Sequence, residues 1–109
     1  MQQIDLSKYA GPDVILLSGR PMGEEIRRKL QVDNMDSCND LVQVKVPQSI
    51  VSLNSSFFLG LFAPSIQTLG ESRFRAKYVF ECRSVVLKDI DSGIRQALNI
   101  ANPLISKKQ

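Results

Sequence analysis

The sequence predicts an α/β fold: a small mixed β-sheet of about four strands with three helices, in the order β-β-α-β-α-β-α. Two observations carry this. Short runs that alternate apolar and polar residues, such as "LVQVKV" and "YVFEC", recur between longer runs whose apolar residues repeat at helical spacing. Turn-forming Gly and Pro residues stand at the boundaries between them, at Gly11-Pro12, Pro47, Gly70 and Pro103. A length of 109 residues with 43% hydrophobic content suits one packed core. No repeat or long linker divides the chain, so the expectation is a single domain over residues 1–109, with its core at about 14–101 and a frayed tail at 102–109.

Ile4 and Leu6 alternate with polar neighbours and predict a strand over Gln3 to Leu6. Gly11-Pro12 makes a turn into a second strand, Val14 to Leu17, which is expected to pair with the first as a hairpin. Ser18 is the expected N-cap of the helix "PMGEEIRRKL". Pro21 suits its first turn, and Met22, Ile26 and Leu30 repeat every four residues as its apolar stripe. Glu24 with Arg28 and Glu25 with Lys29 have favourable i,i+4 order. "QVDNMDSCND" reads as a surface loop; its aspartates lack the spacing, glycine and terminal glutamate of a calcium loop.

Leu41 to Val46 predicts a strand with Val42, Val44 and Val46 on one face, ended by Pro47. Asn54 is the expected N-cap of a long helix ending at Gly70, with Leu53 and Phe58 spaced as a hydrophobic staple. Its first half is apolar nearly all round, which places it in the interior. Pro64 opposite Gly60 predicts a kink between them. "AKYVFEC" predicts the last strand, with Tyr78, Phe80 and Cys82 on one face. Ser84 then caps a final helix in which Leu87, Ile90, Ile94, Ala97, Leu98 and Ala101 form the stripe, stopped by Asn102-Pro103. Gly93 inside this stripe predicts a close neighbour. So few strands leave one sheet face partly open, with room for a homodimer.

Composition narrows function. The chain contains no histidine, which removes Ser-His-Asp and Cys-His catalysis, histidine-ligated metals and a histidine base together. Cys38 and Cys82 are too few and too far apart for a zinc site, and read as free thiols. No paired carboxylates, Walker sequence or GxGxxG occurs, so no catalytic residue, metal or cofactor is expected. Net charge is +3, but the basic residues are scattered and the phenylalanines lie in apolar settings, against nucleic-acid binding. No apolar run approaches a membrane span, and "MQQIDLSKY" lacks a signal-peptide pattern, so a cytoplasmic protein without membrane association is expected.

Two helix starts are the candidate sites. At Asn54, Ser55 and Ser56, free N–H groups and the positive end of the helix dipole converge, an environment that tolerates a phosphate. Gly19 and Arg20, in "SGRP", form a second, weaker anion-site candidate. The same residues can also serve only to satisfy backbone donors.

Taken together, "GRPMGEEIRRKL", the valine strand, "LNSSFFLGLFAPSIQTLG", "YVFEC" and the closing helix resemble the STAS-like domain family of unknown function, over roughly Val14 to Ala101. That family in turn resembles the bacterial anti-sigma-factor antagonists. In those proteins an aspartate-serine step at the equivalent helix start carries the phosphorylated serine and meets a histidine-kinase-like ATPase. By position, Asn54 falls at the aspartate and Ser55 at the serine, while Phe57 stands where the antagonists usually have glycine.

The resemblance implies a small non-enzymatic regulatory module that binds a protein partner, a kinase-like ATPase or an anti-sigma factor. Ser55 would be its regulatory site and Ser56 the fallback, with Asn54 and Phe57 at the docking helix start. The alternative is a small-ligand or nucleotide-binding domain that uses its helix N-termini as anion sites. An enzyme using Cys82 or Cys38 is the weakest reading.

Overall fold

The valines at 42 and 44 set the architecture, because both are fully buried on the middle strand of a three-stranded parallel sheet. In the computed structural model, residues 2–101 are described, with side chains up to residue 99. The elements are β1 (Gln2–Asp5), a 3-10 turn (Leu6–Tyr9), β2 (Leu16–Leu17), α1 (Arg20–Lys29), α2 (Val32–Ser37), β3 (Val42–Lys45), β4 (Ser52–Leu53), α3 (Ser55–Lys77), β5 (Tyr78–Glu81) and α4 (Ser84–Ala101). The α/β class is as expected, but among the described residues the strands are five in two sheets and the α-helices four. One sheet has the order β1-β3-β5 and the other pairs β2 with β4, all parallel. The expected tail at 102–109, with its Asn102-Pro103 stop, lies outside the described residues.

The predicted β1–β2 hairpin does not form. Asp5 accepts hydrogen bonds from the Ser7 backbone (3.0 Å) and hydroxyl (2.6 Å), which caps the 3-10 turn and leads the chain off the sheet. β1 pairs instead with β3, in the register Ile4–Val44–Phe80 across the three strands. Ile4, Val42, Val44 and Tyr78 face inward, whereas Gln3, Gln43, Asp5, Lys45 and Glu81, with Val79 as the one apolar member, line the other face. Gln43 donates to Glu81 across that face at 3.0 Å. This is the partly open face the strand count implied, and its polar rows suit it to water.

Ser18 does not cap α1. Gly19 precedes the helix at φ 96°, a backbone region open to glycine, and no side chain caps the end. The buried face of α1 runs through Gly23, Ile26 and Arg27, so Met22 is exposed and the expected stripe is rotated. Glu25 pairs with Lys29 at 3.1 Å, but Glu24 lies toward Arg20 instead of Arg28. The expected loop after α1 contains a helix. Gln31 turns the chain through a left-handed conformation (φ 54°), and Val32 and Met35 are then buried one helical turn apart.

α3 is the interior helix, with Phe57 to Ala63 buried without a gap. At Gly60–Pro64 the helix is not broken: the backbone keeps helical φ/ψ through Pro64, as expected of a proline whose i−4 residue is a glycine. The break is at Gly70 (φ 81°), after which residues 71–77 resume the helix instead of leaving it. Phe74 is buried there and Glu71 pairs with Arg75 at 2.9 Å, which explains the continuation. Consequently Ala76 and Lys77 end a helix and do not begin β5. Phe62 sits at the centre of the aromatic core, with ring centroids of Phe58, Phe74, Tyr78 and Phe80 5.3–5.6 Å away. On α4 the buried stripe is Val86, Ile90, Ile94 and Ala97, and Leu87 faces out. Gly93 lies against the Phe58 ring, the close neighbour its position implied. Among the described residues no helix is long and apolar enough to cross a membrane.

Gly60 also has a role that its place before Pro64 does not reveal. A Cβ added there would lie 3.1 Å from Glu24 N and closer still to the Arg20 carbonyl; one on Gly23 would lie 2.8 Å from Leu61 N. The two helices therefore cross backbone to backbone. An alanine within a helix ordinarily gains about 0.5–1 kcal/mol over glycine. Here overpacking of about 1–3 kcal/mol opposes it and wins. Gly60→Ala and Gly23→Ala are each expected to lower the denaturant midpoint, whereas Gly11→Ala, with open space around it, leaves it unchanged.

Candidate functional site

The two candidate helix starts are brought side by side. β2 leads through Ser18 and Gly19 into α1, and β4 leads through Asn54 into α3. Because β2 and β4 pair in parallel, with Leu17 opposite Leu53, both chains leave the ribbon at the same end. The glycine crossing then holds the first turns of α1 and α3 against each other.

Asn54 performs the expected cap. Its backbone is extended (φ −65°, ψ 141°), and its Oδ1 accepts the Ser56 N–H at 2.8 Å. Asn54 and Ser56 are exposed and Ser55 is half-buried, so the helix start is open to solvent. Phe57 is only 1% exposed. It belongs to the core, and the docking role expected for it is corrected accordingly: its ring has no surface to offer. Arg20 is exposed and lies 4.0 Å from Glu24, beside the Gly19 turn. Ile15 (60% exposed), Leu16 (46%) and Val51 (37%), in or just before β2 and β4, leave aliphatic side chains exposed on the segments that lead to the helix starts.

Cys38 and Cys82 are free and half-buried. Burial pushes the Cys82 thiol above its ordinary pKa, the wrong direction for a nucleophile. Cys38 donates to the Met35 carbonyl at 3.2 Å and has Lys77 Nζ 3.8 Å from its sulfur. A cleft of about 410 Å³ between β5 and α4, lined by Phe74, Phe80, Leu87, Ile90 and others, shares no residue with the two helix starts.

Sequence reasoning missed a buried polar cluster. Arg27 donates to the Leu61 carbonyl and Ser65 Oγ, each at 2.8 Å, and to Asp36 at 2.9 Å and Asp33 at 2.5 Å. Asp36 also accepts from Ser65 (2.9 Å) and from the Tyr78 hydroxyl. Two of the three aspartates in "QVDNMDSCND", Asp33 and Asp36, thus serve a guanidinium. The signal was present: Arg27 lies four residues from Gly23 and next to Ile26, on the face that turns inward. A second polar contact that local sequence does not signal is Asp89, whose Oδ2 accepts the Leu53 N–H at 2.9 Å.

No protein-family model, curated protein or solved structure matches the chain.

Burial first, then the hydrogen bond to Asp36 and its negative charge, push the Tyr78 phenol well above its ordinary value of 10.0. Its proton is held more tightly in the folded state, so this contribution to stability is complete below the unfolded pKa. It declines as pH rises past about 10 and vanishes at the folded pKa. Denaturant unfolding at stepped pH is expected to show that alkaline decline in the wild type and a shallower one in Tyr78→Phe.

Proposed function

We propose that this protein is a small, non-enzymatic regulatory module that docks a protein partner through the start of α3 and the β2–β4 ribbon beside it. Ser55 is its regulatory site, with Ser56 the fallback. The observation that carries this reading is the pairing of an open, Asn54-capped helix start with the exposed aliphatic residues Ile15, Leu16 and Val51. The exposed aliphatic side chains supply contact area, and the helix start supplies a position where about two negative charges can be added and tolerated.

The resemblance to STAS-like domains, and through them to anti-sigma-factor antagonists, suggests a cytoplasmic protein whose partner is a histidine-kinase-like ATPase or an anti-sigma factor. Asn54 departs from the antagonists' aspartate, and its cap hydrogen bond is the function an aspartate would also perform there. Intact-mass measurement after co-expression with a histidine-kinase-like serine kinase from the same genome is expected to show one added phosphate, lost in Ser55→Ala. Its absence from both Ser55 and Ser56 defeats the switch and leaves simple docking to be read by pull-down with the wild-type surface against Leu16→Asp.

One observation favours a second reading, a small anionic ligand or nucleotide. The starts of α1 and α3 emerge together from a parallel strand pair, with Gly19 and Arg20 facing the same end. Thermal shift against nucleotides and phosphorylated metabolites is the discriminating measurement. On this reading a ligand raises the melting temperature and Ser55→Glu abolishes the rise; a flat screen removes it.

A further inference from the structure

At the end of the β2–β4 ribbon the ladder follows the parallel pattern: Leu17 and Leu53 are register partners, and the Leu17 carbonyl receives its bond from Asn54 N, one residue on, at 2.8 Å. In that pattern the N–H of Leu53 itself points away from β2, to the edge of β4 that carries no strand. Leu53 is 4% exposed, so its N–H needs an acceptor from elsewhere. A buried amide without an acceptor is costly. Asp89, half-buried on α4, reaches across and accepts that N–H at 2.9 Å, a bond strengthened by the carboxylate's charge.

We propose that Asp89 is the positioning residue of the α3 start, and that through it a negative charge added at Ser55 or Ser56 is passed on to α4. Asp89 fixes Leu53, which fixes Asn54 as the cap, which sets where α3 begins. Ser55 follows Leu53 by two residues, so a phosphate there lies within roughly one Debye length of the Asp89 carboxylate. The helix dipole favours that phosphate, and the like-charge repulsion falls on Asp89. Its hold on Leu53 weakens, and with it the attachment of the first turns of α4 to β4. Asp91, two residues on, is held separately by Arg75 at 2.9 Å and keeps the next turn of α4 in place. The released segment is therefore short, residues 84–89. This deepens the regulatory reading and rests on it for the source of the charge.

Backbone amide exchange on the full chain tests the proposal with neither kinase nor partner present. Asp89→Ala is expected to speed exchange of the Leu53 amide by about tenfold or more. Asp89→Asn, which keeps a neutral acceptor, falls between it and the wild type. Ser55→Glu is expected to speed exchange at Leu53 and over residues 84–89, and to have no such effect when combined with Asp89→Asn. If Asp89→Ala does not fold, the Asn variant and its double carry the comparison. Unchanged Leu53 exchange in the Asp89 variants overturns the positioning role. An equal Ser55→Glu effect with and without the Asp89 carboxylate overturns the coupling. Either result leaves the phosphorylation test standing, and a missing phosphate on Ser55 leaves these exchange rates as they are.

Discussion

One guanidinium joins most of the structure. Arg27 projects from α1 into a space bounded by α2 and α3, and donates to a backbone carbonyl, a hydroxyl and two carboxylates. Through Asp36 the same cluster reaches Tyr78 on β5. Burying such a charge is unfavourable unless its partners surround it, and here they do: no buried side-chain N or O lacks a partner among the described residues. Removing the arginine would leave Asp36 buried without a counter-charge, held only by the Ser65 and Tyr78 hydroxyls, a penalty of about 3–5 kcal/mol. The cluster thus makes a six-residue helix, α2, part of the core although it has only two buried apolar side chains of its own.

Arg27 can reach Leu61 and Ser65 only because α1 and α3 touch at Gly23 and Gly60. Arg27 lies one turn beyond Gly23, and Ser65 about one turn beyond Gly60, so the contact and the cluster are successive layers of one interface. The same contact brings the starts of the two helices together at the other end. Core chemistry and candidate site are in this way two ends of a single helix pair. The β2–β4 ribbon feeds both helices in parallel, and Asp89 ties its end to α4.

Elements whose signal is local were legible. The valine strand, the Asn54 cap, the interior character of residues 57–63 and the tight neighbour at Gly93 all follow from spacing or side-chain type within a few residues. Where sequence and structure part, the cause is shared. Pro64 four residues on accounts locally for Gly60, but the missing side chain also serves a neighbour some forty residues earlier. The polar residues of "VDNMDS" point to a loop, and the partner that makes them helical and useful is Arg27. Adjacency alone pairs β1 with β2, but the capping of a 3-10 turn by Asp5 sends β2 to another sheet. Phe57 suits both a docking helix start and a core, and its burial leaves only the core role.

By itself, the sequence determined the α/β class, the positions of the main helices and the middle strand, and the chemistry of the Asn54–Ser56 helix start, because periodicity and capping act over one or two turns. Tertiary structure alone decided that Gly19 and Ser55 begin neighbouring helices, that Arg27 is buried, and that Asp89 holds Leu53. Each of those depends on which backbone approaches which, a matter of close packing between residues more than thirty positions apart, and no local pattern encodes such an approach until the chain has folded.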